Sequence, residues 1–253
     1  MSAVPALQVD GLVKRFGALL ATADLSLTIA PGELRGLIGP NGAGKTTLIN
    51  QLMGELPPSA GRISFAGQDV TALSGPARAR MGMARSFQIP CICRGATVLH
   101  NAALAVRAHK GEAFRFWRRA RADTSINDAA QALLDQVGLG PVAGQVAGEL
   151  SHGDQRRLEL AMALAGTPQL LLLDEPMAGM SAVDSLGMVA LLAQLKGRCA
   201  ILLVEHDMDA VFRLADQISV LVNGRLIYTG TPDAVRQDAG VRAAYLGDEA
   251  DGC

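Results

Sequence analysis

The sequence predicts an α/β fold built on a mainly parallel β-sheet, and two features of its 253 residues predict it. Apolar runs of about five residues alternate with longer segments of helical periodicity, a pattern typical of parallel sheets with crossover helices. Three such runs, Leu34–Ile38, Leu170–Leu173 and Ala200–Val204, are each followed by a polar or glycine-rich turn. Because ligands bind beyond the carboxyl ends of parallel strands, we expect the three turns to lie at one site.

The regions on either side of these runs predict antiparallel strands. Apolar residues alternate with polar ones over residues 25–29 and again over 63–65, which is the pattern of half-buried strands. Towards the other end, Asn223-Gly224 separates the segments Ile218–Val222 and Arg225–Thr229. Asn-Gly between two such segments is the strongest short signal for a β-hairpin, so we expect one there.

The middle of the chain is predicted to be helical. Two segments carry apolar residues at helical spacing, and each ends before a glycine, Gly138 or Gly166, that can terminate a helix. We therefore expect one domain over residues 1–253, in which 1–88 and 161–253 form the α/β core with its antiparallel part and 89–160 form a helical subdomain. The regularly spaced apolar residues are Ala130, Leu133, Leu134 and Val137, then Leu158, Ala161, Met162 and Ala165.

Composition argues against two classes of protein. Lys and Arg total 23 and Asp and Glu total 24, so the net charge of −1 gives no general reason to bind nucleic acid. The longest apolar runs are far shorter than the roughly 20 residues that a membrane-spanning helix needs. The N-terminus has neither the basic start nor the apolar stretch of a signal peptide. We expect a soluble chain that stays in the cytoplasm.

Two short segments keep more than one interpretation. Cys91 and Cys93 have no partner Cys/His pair at zinc-ligand spacing, which favours free thiols over a metal or redox site. Residues 114–121 combine four arginines with three aromatic residues. That cluster fits a solvated helix with aromatic anchors, or a contact with anionic lipid headgroups or with a partner protein.

Residues 39–46 match the phosphate-binding motif Gly-x-x-x-x-Gly-Lys-[Ser/Thr], between a predicted strand and a helix predicted over 45–53. Glycines let backbone N–H groups approach phosphates closely, and the helix N-terminus favours an anion. Lys45 is expected to reach the β- and γ-phosphates, Thr46 to ligate Mg²⁺ and Thr47 to bind near the α-phosphate. The predicted nucleotide-binding residues of this loop are Gly39, Pro40, Asn41, Gly42, Ala43, Gly44, Lys45, Thr46 and Thr47.

A metal-binding carboxylate and a general base are predicted at the end of the second apolar run. Asp174 and Glu175 follow Leu170–Leu173 directly. Asp174 is placed to hold Mg²⁺, directly or through water, and Glu175 is placed to activate an attacking water molecule. Together with the phosphate-binding loop, this pair predicts hydrolysis of a bound nucleotide.

Residues 150–157, Leu-Ser-His-Gly-Asp-Gln-Arg-Arg, resemble the signature of the ABC transporter ATP-binding subunits, which reads Leu-Ser-Gly-Gly-Gln and lies shortly before the Asp-Glu strand. The resemblance implies a P-loop NTPase fold and binding of ATP with Mg²⁺. Ser151 and Gly153 keep the hydroxyl and the backbone N–H that the family directs at a γ-phosphate. His152 and Asp154 depart from its pattern.

The resemblance extends over nearly the whole chain and implies further site residues. Phe16, 29 residues before Lys45, matches the aromatic residue that stacks on adenine. Gln88 matches the glutamine that senses Mg²⁺ or water and links to the membrane subunit, and His206 matches the histidine that contacts the γ-phosphate. The implied metal ligands are thus Thr46, Gln88 and Asp174, and the implied catalytic residues are Glu175, His206 and Gln88.

One segment after the Asp-Glu pair departs from the family. Many members have Ser-Ala-Leu-Asp where this chain has residues 178–181, Ala-Gly-Met-Ser, so Ser181 stands in the place of the aspartate. Asp184 lies three residues further on and is not assigned that role. The contact that this segment makes across the family's dimer is therefore left without an assigned residue.

Four stretches narrow the resemblance to the ATPases of branched-chain (hydrophobic) amino acid importers. Urea and amide importers and some lipopolysaccharide-export ATPases share much of the sequence of these stretches, so they remain alternatives. An ABC ATPase outside transport is a more distant alternative. The stretches are residues 150–159, 174–180, 205–208 and 244–247.

The family works as a head-to-tail dimer, in which each ATP joins the phosphate loop of one subunit to the signature of the other. The resemblance implies a second ATPase subunit, identical or different, transmembrane permease subunits and, indirectly, a periplasmic binding protein, with no nucleic acid. It places the chain peripherally on the inner face of the cell membrane. Two interpretations stay open for Ile89, Ile92, Val98 and Leu99: a docking groove for the permease, or part of the core.

Overall fold

The computed structural model describes residues 4–86, 92–110 and 124–243, and the chain falls into two units. The first unit contains the chain up to Met83, Gln169–Glu175 and the chain from Leu195 onward. The second contains Ala84–Pro168 and Pro176–Gln194. The second unit is larger than the predicted helical subdomain of residues 89–160, because it also takes in residues 84–88, 161–168 and 176–194.

The strands form two sheets, with the order β2-β1-β4-β5 in one and β10-β9-β3-β8-β7-β6 in the other. The four-stranded sheet is antiparallel, as the alternating residues predict. The strands are β1 (Leu7–Phe16), β2 (Leu19–Ile29), β3 (Leu34–Ile38), β4 (Ala60–Phe65), β5 (Gln68–Asp69), β6 (Met83–Arg85), β7 (Leu170–Asp174), β8 (Ala200–Val204), β9 (Gln217–Val222) and β10 (Arg225–Gly230).

The six-stranded sheet contains the three predicted parallel strands side by side. β3 pairs in parallel with β8, and β8 pairs in parallel with β7. Every residue of these three strands is buried, which explains why their sequences are mostly apolar, with Arg35 in β3 and Asp174 at the end of β7 as the charged exceptions. β9 also pairs in parallel with β3 and then turns back into β10, so the predicted hairpin is confirmed and its first strand belongs to the parallel sheet.

The helix after the phosphate loop begins and ends where the sequence predicts it, at Lys45 and Met53. Among the described residues, no helix has the length and apolar character that crossing a membrane requires. The helices are α1 (Lys45–Met53), α2 (Gly75–Arg80), α3 (Val98–His109), α4 (Thr124–Gln136), α5 (His152–Leu164), α6 (Ala182–Leu195), α7 (Met208–Leu214), α8 (Pro232–Gln237) and α9 (Ala239–Val241).

One apolar core holds the two sheets of the first unit together. Leu7 and Ile29 from the antiparallel sheet, Leu48 from α1, and Leu172 and Leu202 from the parallel sheet belong to the same buried cluster. Burial of a side chain of this size contributes about 1.5–3 kcal/mol. The cluster therefore fixes α1, and with it the loop that precedes α1, against both sheets.

A buried arginine closes the carboxyl end of α1. Arg78 on α2 is only 1% exposed. Its guanidinium donates to the carbonyl oxygens of Gln51 and Leu52 in the last turn of α1, at 2.8 and 2.6 Å, and to those of Leu73 and Thr71. The carbonyls of the last turn of a helix lack the usual partner one turn further on. Here the guanidinium supplies a donor to both, and the N–H of Gly54 also donates to the carbonyl oxygen of Gln51 at 3.1 Å. Burial lowers the pKa of Arg78, and the nearby Asp69 opposes that shift.

We expect Arg78→Lys to lower the free energy of unfolding by about 2–4 kcal/mol, because a lysine keeps the charge but cannot satisfy four carbonyls with one planar fork. Urea denaturation followed by circular dichroism measures the change. Arg80→Lys, on the exposed side of the same helix, is the matched control and should stay within about 0.5 kcal/mol of wild type. Equal stability of the two variants would contradict a structural role for Arg78.

Candidate nucleotide-binding site

A pocket of 420 Å³ lies in the first unit, beyond the carboxyl ends of its parallel strands. The three turns predicted from the sequence are expected to meet here. Two of them, the phosphate loop after β3 and the turn after β7 that carries Glu175, contribute to the pocket wall. The lining residues are Phe16, Leu19, Leu20, Ala21, Asn41, Gly42, Ala43, Gly44, Lys45, Thr46, Thr47, Glu175, Asn223 and Gly224.

The phosphate loop needs glycine at its two ends because backbone lies directly against it. A Cβ atom on Gly39 would stand 2.0 Å from the carbonyl oxygen of Leu221. At Gly44, which has a φ of +106°, it would stand 2.4 Å from the carbonyl oxygen of Ala21. α1 begins directly after Gly44, and within the described residues no side chain caps its first turn. The N–H groups at this end of the helix are therefore suited to an anion.

Lys45 is the buried cation of the pocket, with 7% of its surface exposed. Its Nζ donates to the carbonyl oxygen of Gly39 at 2.5 Å and to that of Pro40 at 3.1 Å. Burial lowers the pKa of Lys45, while the carboxylates of Glu175 and Asp174 raise it. A phosphate group would favour the charged ammonium further, because it places negative charge where the loop offers only carbonyl dipoles.

Glu175 and His206 meet at the ends of two neighbouring parallel strands. Glu175 follows β7 and His206 lies two residues after β8, and their Oε1 and Nε2 atoms are 2.6 Å apart. Glu175 has a φ of +52°, a conformation that costs a non-glycine residue of order 1–3 kcal/mol. Its backbone N–H donates to the carbonyl oxygen of Val204 at 2.9 Å, which helps to hold that conformation. Such strain concentrates at functional sites, and here it belongs to the residue predicted as general base.

The two described residues predicted to ligate Mg²⁺ both offer oxygen atoms. Asp174, the last residue of β7, is 1% exposed, and Thr46 is exposed in the first turn of α1. Magnesium prefers one or two protein carboxylate or hydroxyl ligands together with phosphates, and this donor set fits that preference. Over the described residues, no three His, Cys, Asp or Glu side chains form a metal-binding group. Gln88, the third predicted ligand, lies outside the described residues.

The pocket also contains residues that sequence reasoning placed elsewhere. The sequence predicts Asn223-Gly224 only as a hairpin turn, whereas in the structure these two residues also line the pocket wall. Its Gly224 N–H donates to the carbonyl oxygen of Ala43 in the phosphate loop at 2.8 Å. The signal that could have found it is that β9 runs parallel to β3, so its carboxyl end meets the same edge.

Phe16 lies in the pocket wall at the end of β1, with 48% of its surface exposed. The ammonium of Lys14 stands 5.2 Å from the centre of its ring. An exposed ring of this kind offers a face on which an adenine can stack. The structure therefore places the predicted adenine platform at the same pocket as the phosphate loop.

The signature segment lies in the second unit, where it forms the start of α5. Ser151 is the N-cap, and its Oγ accepts from the N–H of Asp154 at 3.1 Å. Gly153 is buried in the first turn, and the side-chain amide of Gln155 donates to the carbonyl oxygen of Leu150 at 3.1 Å. The predicted signature residues are therefore held at a helix N-terminus, which is a suitable place to contact a phosphate.

For some of the residues that the sequence leaves with two interpretations, the structure shows whether the side chain is buried or exposed. Val98 is fully buried and belongs to the core of the second unit, whereas Leu99 lines a pocket of 580 Å³. Ile92 is half-buried, and Cys93 is an exposed free thiol. The structure describes neither Ile89, Cys91 nor residues 114–121, so the docking groove and the basic aromatic cluster stay predictions.

Two kinds of comparison with known proteins, with family models and with sequence relatives, give the same assignment. Residues 22–178 match the family model for the ABC transporter, and residues 225–251 match that of the branched-chain amino acid ATP-binding cassette transporter. The chain is 39% identical to the high-affinity branched-chain amino acid transport ATP-binding protein LivG of Escherichia coli strain K12, over 96% of this chain and 98% of that one. It is 31% identical to the lipopolysaccharide export system ATP-binding protein LptB of Acidithiobacillus ferridurans, over 96% and 97%.

Solved structures agree with the sequence relatives. The fold is similar to that of an ATP-binding cassette from an ABC transporter in its ADP conformation, with a TM-score of 0.85, 28% sequence identity, and coverage of 96% of this chain and 99% of that chain. The pocket, the phosphate loop and the carboxylate at the end of β7 thus occur in a fold known to hold a nucleotide. The chain belongs to the ABC transporter family, as one of its ATP-binding subunits.

Proposed function

We propose that this chain hydrolyses ATP in the pocket of the first unit and so powers the import of branched-chain or related amino acids through separate permease subunits. One observation carries the catalytic part of this proposal. Glu175, in a strained backbone conformation, lines the same pocket as the phosphate loop and is held there by His206. A carboxylate fixed beside a phosphate cradle is suited to take a proton from a water molecule that attacks a γ-phosphate.

The phosphates are held by the loop and by Lys45. The first N–H groups of α1 attract the negative charge, and the ammonium of Lys45 exchanges its two loop carbonyls for phosphate oxygens. Phe16 takes the adenine on its exposed face. Hydrolysis then needs Glu175 to accept the proton, while the imidazole of His206 fixes the direction of that carboxylate and contacts the γ-phosphate.

Magnesium is the cofactor that we assign to this site, with Thr46, Asp174 and Gln88 as its protein ligands. When bound, it neutralises charge on the phosphate oxygens. The three residues hold it, and Asp174 does so from a position fixed by its pairing with Val204.

A second ATPase subunit completes the reaction in this proposal. Ser151 and the N–H of Gly153 bind the γ-phosphate of an ATP held by that second subunit, in a head-to-tail dimer. ATP binds better to the closed dimer than to the open one, so its binding closes the dimer and its hydrolysis allows reopening. The permeases are moved by this cycle, and the chain attaches to them on the inner face of the membrane.

The proposed cargo, branched-chain amino acids, is the one for which two relatives of this chain are named. LivG of Escherichia coli and BraF of Pseudomonas aeruginosa, 39% and 36% identical over 96% of this chain, are both named for high-affinity branched-chain amino acid transport. The match of residues 225–251 to a branched-chain amino acid transporter model supports the same cargo. Lipopolysaccharide export is the second candidate, supported by the 31% identity to LptB. Urea or amide import, which the resemblance of the sequence also leaves open, is a further alternative.

Reconstitution of the chain with the permease subunits of its own transporter tests the cargo. ATP-driven accumulation of labelled leucine in proteoliposomes, in the presence of the cognate binding protein, is the expected result. A complex that instead extracts lipopolysaccharide from the liposomes and transports no amino acid would establish the export function.

Lys45→Ala is expected to weaken ATP binding about 10- to 100-fold, because hydrogen bonds to a charged group contribute about 1.5–3 kcal/mol each. Titration with a fluorescent ATP analogue measures the affinity. Lys110→Ala, at an exposed lysine that ends α3, is the control and should bind as wild type does. An unchanged affinity in Lys45→Ala would remove Lys45 from the phosphate site.

Glu175→Gln is expected to lower the turnover of ATP about 10²- to 10⁴-fold while ATP still binds. The glutamine oxygen can still accept from His206, so the variant removes basicity and keeps the geometry. Release of phosphate measures turnover, and size-exclusion chromatography with ATP should reveal a dimer that persists. Glu55→Gln, at an exposed glutamate just after α1, is the control. Normal turnover in Glu175→Gln would show that another group is the base.

Ser151→Ala is expected to lower hydrolysis at least about tenfold and to leave binding of ATP by the monomer unchanged, since a hydrogen bond to a charged phosphate oxygen is lost only in the dimer. The change also removes the N-cap of α5, so a second variant must account for that loss. Thr231→Ala removes the equivalent cap of α8, where Thr231 accepts from the N–H of Ala234 at 3.3 Å. If both variants lose activity equally, or if Ser151→Ala also loses monomer binding, the signature role is wrong.

A further inference from the structure

Two of the departures from the family pattern, at His152 and at Ser181, lie in the second unit on segments that touch each other. The signature segment, residues 151–154, begins α5. The post-carboxylate segment, residues 177–184, follows Glu175 and leads into α6. Two sets of contacts join these segments.

The first contact is made by the imidazole of His152. Its Nε2 lies 3.2 Å from the carbonyl oxygen of Ala178. A carbonyl oxygen can only accept, so Nε2 carries the proton and donates it. The ring also lies against Gly179, which has a φ of +74° and whose added Cβ would stand 3.3 Å from Nε2. The ring therefore covers the glycine turn and binds one of its carbonyls.

The second contact is made by the carboxylate of Asp184. A Cβ added to Gly153 would stand 2.7 Å from Cγ of Asp184, so the glycine lets this side chain approach the signature backbone closely. The carboxylate is held in turn by Ser181, whose hydroxyl donates to Oδ2 at 2.6 Å and accepts from the N–H of Asp184 at 3.2 Å. Ser181 thus fixes Asp184 against the signature.

A further close approach joins α5 and α6 about one turn beyond the signature segment. The Nη2 atom of Arg157 on α5 would lie 2.4 Å from a Cβ on Gly187 of α6. Arg157 is itself paired with Asp154, with 3.5 Å between Nη1 and Oδ1. α5 and α6 therefore also approach each other closely beyond the two segments themselves.

We propose that His152 is a positioning residue that clamps the post-carboxylate segment to the signature segment, so that Ser151 and Gly153 reach a second subunit's nucleotide already ordered. This inference rests on the proposed function of the signature segment. A loop that is ordered in the free protein does not lose that conformational freedom when the dimer closes. Removing the clamp should therefore slow the step that needs the closed dimer and leave ATP binding by one subunit alone as it was.

Turnover of ATP by the full-length chain tests the clamp. His152→Ala is expected to lower kcat about three- to tenfold, the range of one hydrogen bond, with an unchanged monomer affinity for ATP. His152→Gln should recover kcat to within about twofold of wild type, because its amide N–H can donate to the Ala178 carbonyl. His109→Ala is the matched control: His109 also packs its ring against a glycine of the same unit, Gly166, but at the other end of α5.

Backbone hydrogen exchange in the nucleotide-free chain gives a readout that needs no second subunit. The amides of residues 178–182 should exchange about three- to tenfold faster in His152→Ala than in wild type and in His152→Gln. Unchanged exchange or unchanged kcat in His152→Ala, or equal loss in the alanine and glutamine variants, would overturn the clamp. If Ser151→Ala slows hydrolysis and His152→Ala does not, only the clamp is wrong. If Ser151→Ala leaves hydrolysis unchanged, the proposed function of the signature is wrong.

Discussion

The parallel pairing of β3 with β8 and β9, and of β8 with β7, is the constraint on which the nucleotide site depends. Parallel strands end at the same edge of the sheet, so the turns that follow them meet there regardless of their distance in sequence. The phosphate loop after β3, Glu175 after β7, His206 after β8 and Asn223-Gly224 after β9 are neighbours for this one reason. Complete burial of β3, β7 and β8 keeps that register fixed, because a shifted strand would expose apolar side chains or bury the polar ends.

The polar groups of the site are already paired with one another in the protein. Lys45 donates to two carbonyls of its own loop, and His206 is bound to Glu175. A ligand must therefore offer these groups a stronger interaction than they have. Phosphate oxygens do so for Lys45, since a charge-assisted bond is about twice as strong as a neutral one. The carboxylate of Glu175 is different, because a neutral water molecule can approach it without breaking its contact with His206.

The sequence alone predicted the elements whose pattern allows one interpretation. Short, mostly apolar runs bounded by glycine or charge predicted β3, β7 and β8, and the Asn-Gly pair predicted the β9–β10 hairpin. The phosphate motif fixes where the first turn of helix α1 must begin, and the helix does begin at Lys45, as expected. Other features depend on tertiary contacts that no local pattern encodes. The parallel pairing of β9, which carries Asn223-Gly224 into the pocket wall, is one, and the grouping of α6 with the helical unit is another.

Residues 152 and 181 show that the contacts of single side chains, too, depend on tertiary structure that no local sequence pattern encodes. In sequence they are 29 positions apart and appear as two independent departures from one family's pattern. In the fold, His152 binds the carbonyl of Ala178. Ser181 accepts from the N–H of Asp184 in the first turn of α6 and donates to its carboxylate, which lies against Gly153. Ser181 therefore has a structural partner of its own, and Asp184 faces the signature of its own subunit, which is consistent with leaving Asp184 out of the role that the family gives to an aspartate at position 181. A substitution at either position has to be judged by its effect on both segments, because they share the contacts that order the α5 N-terminus.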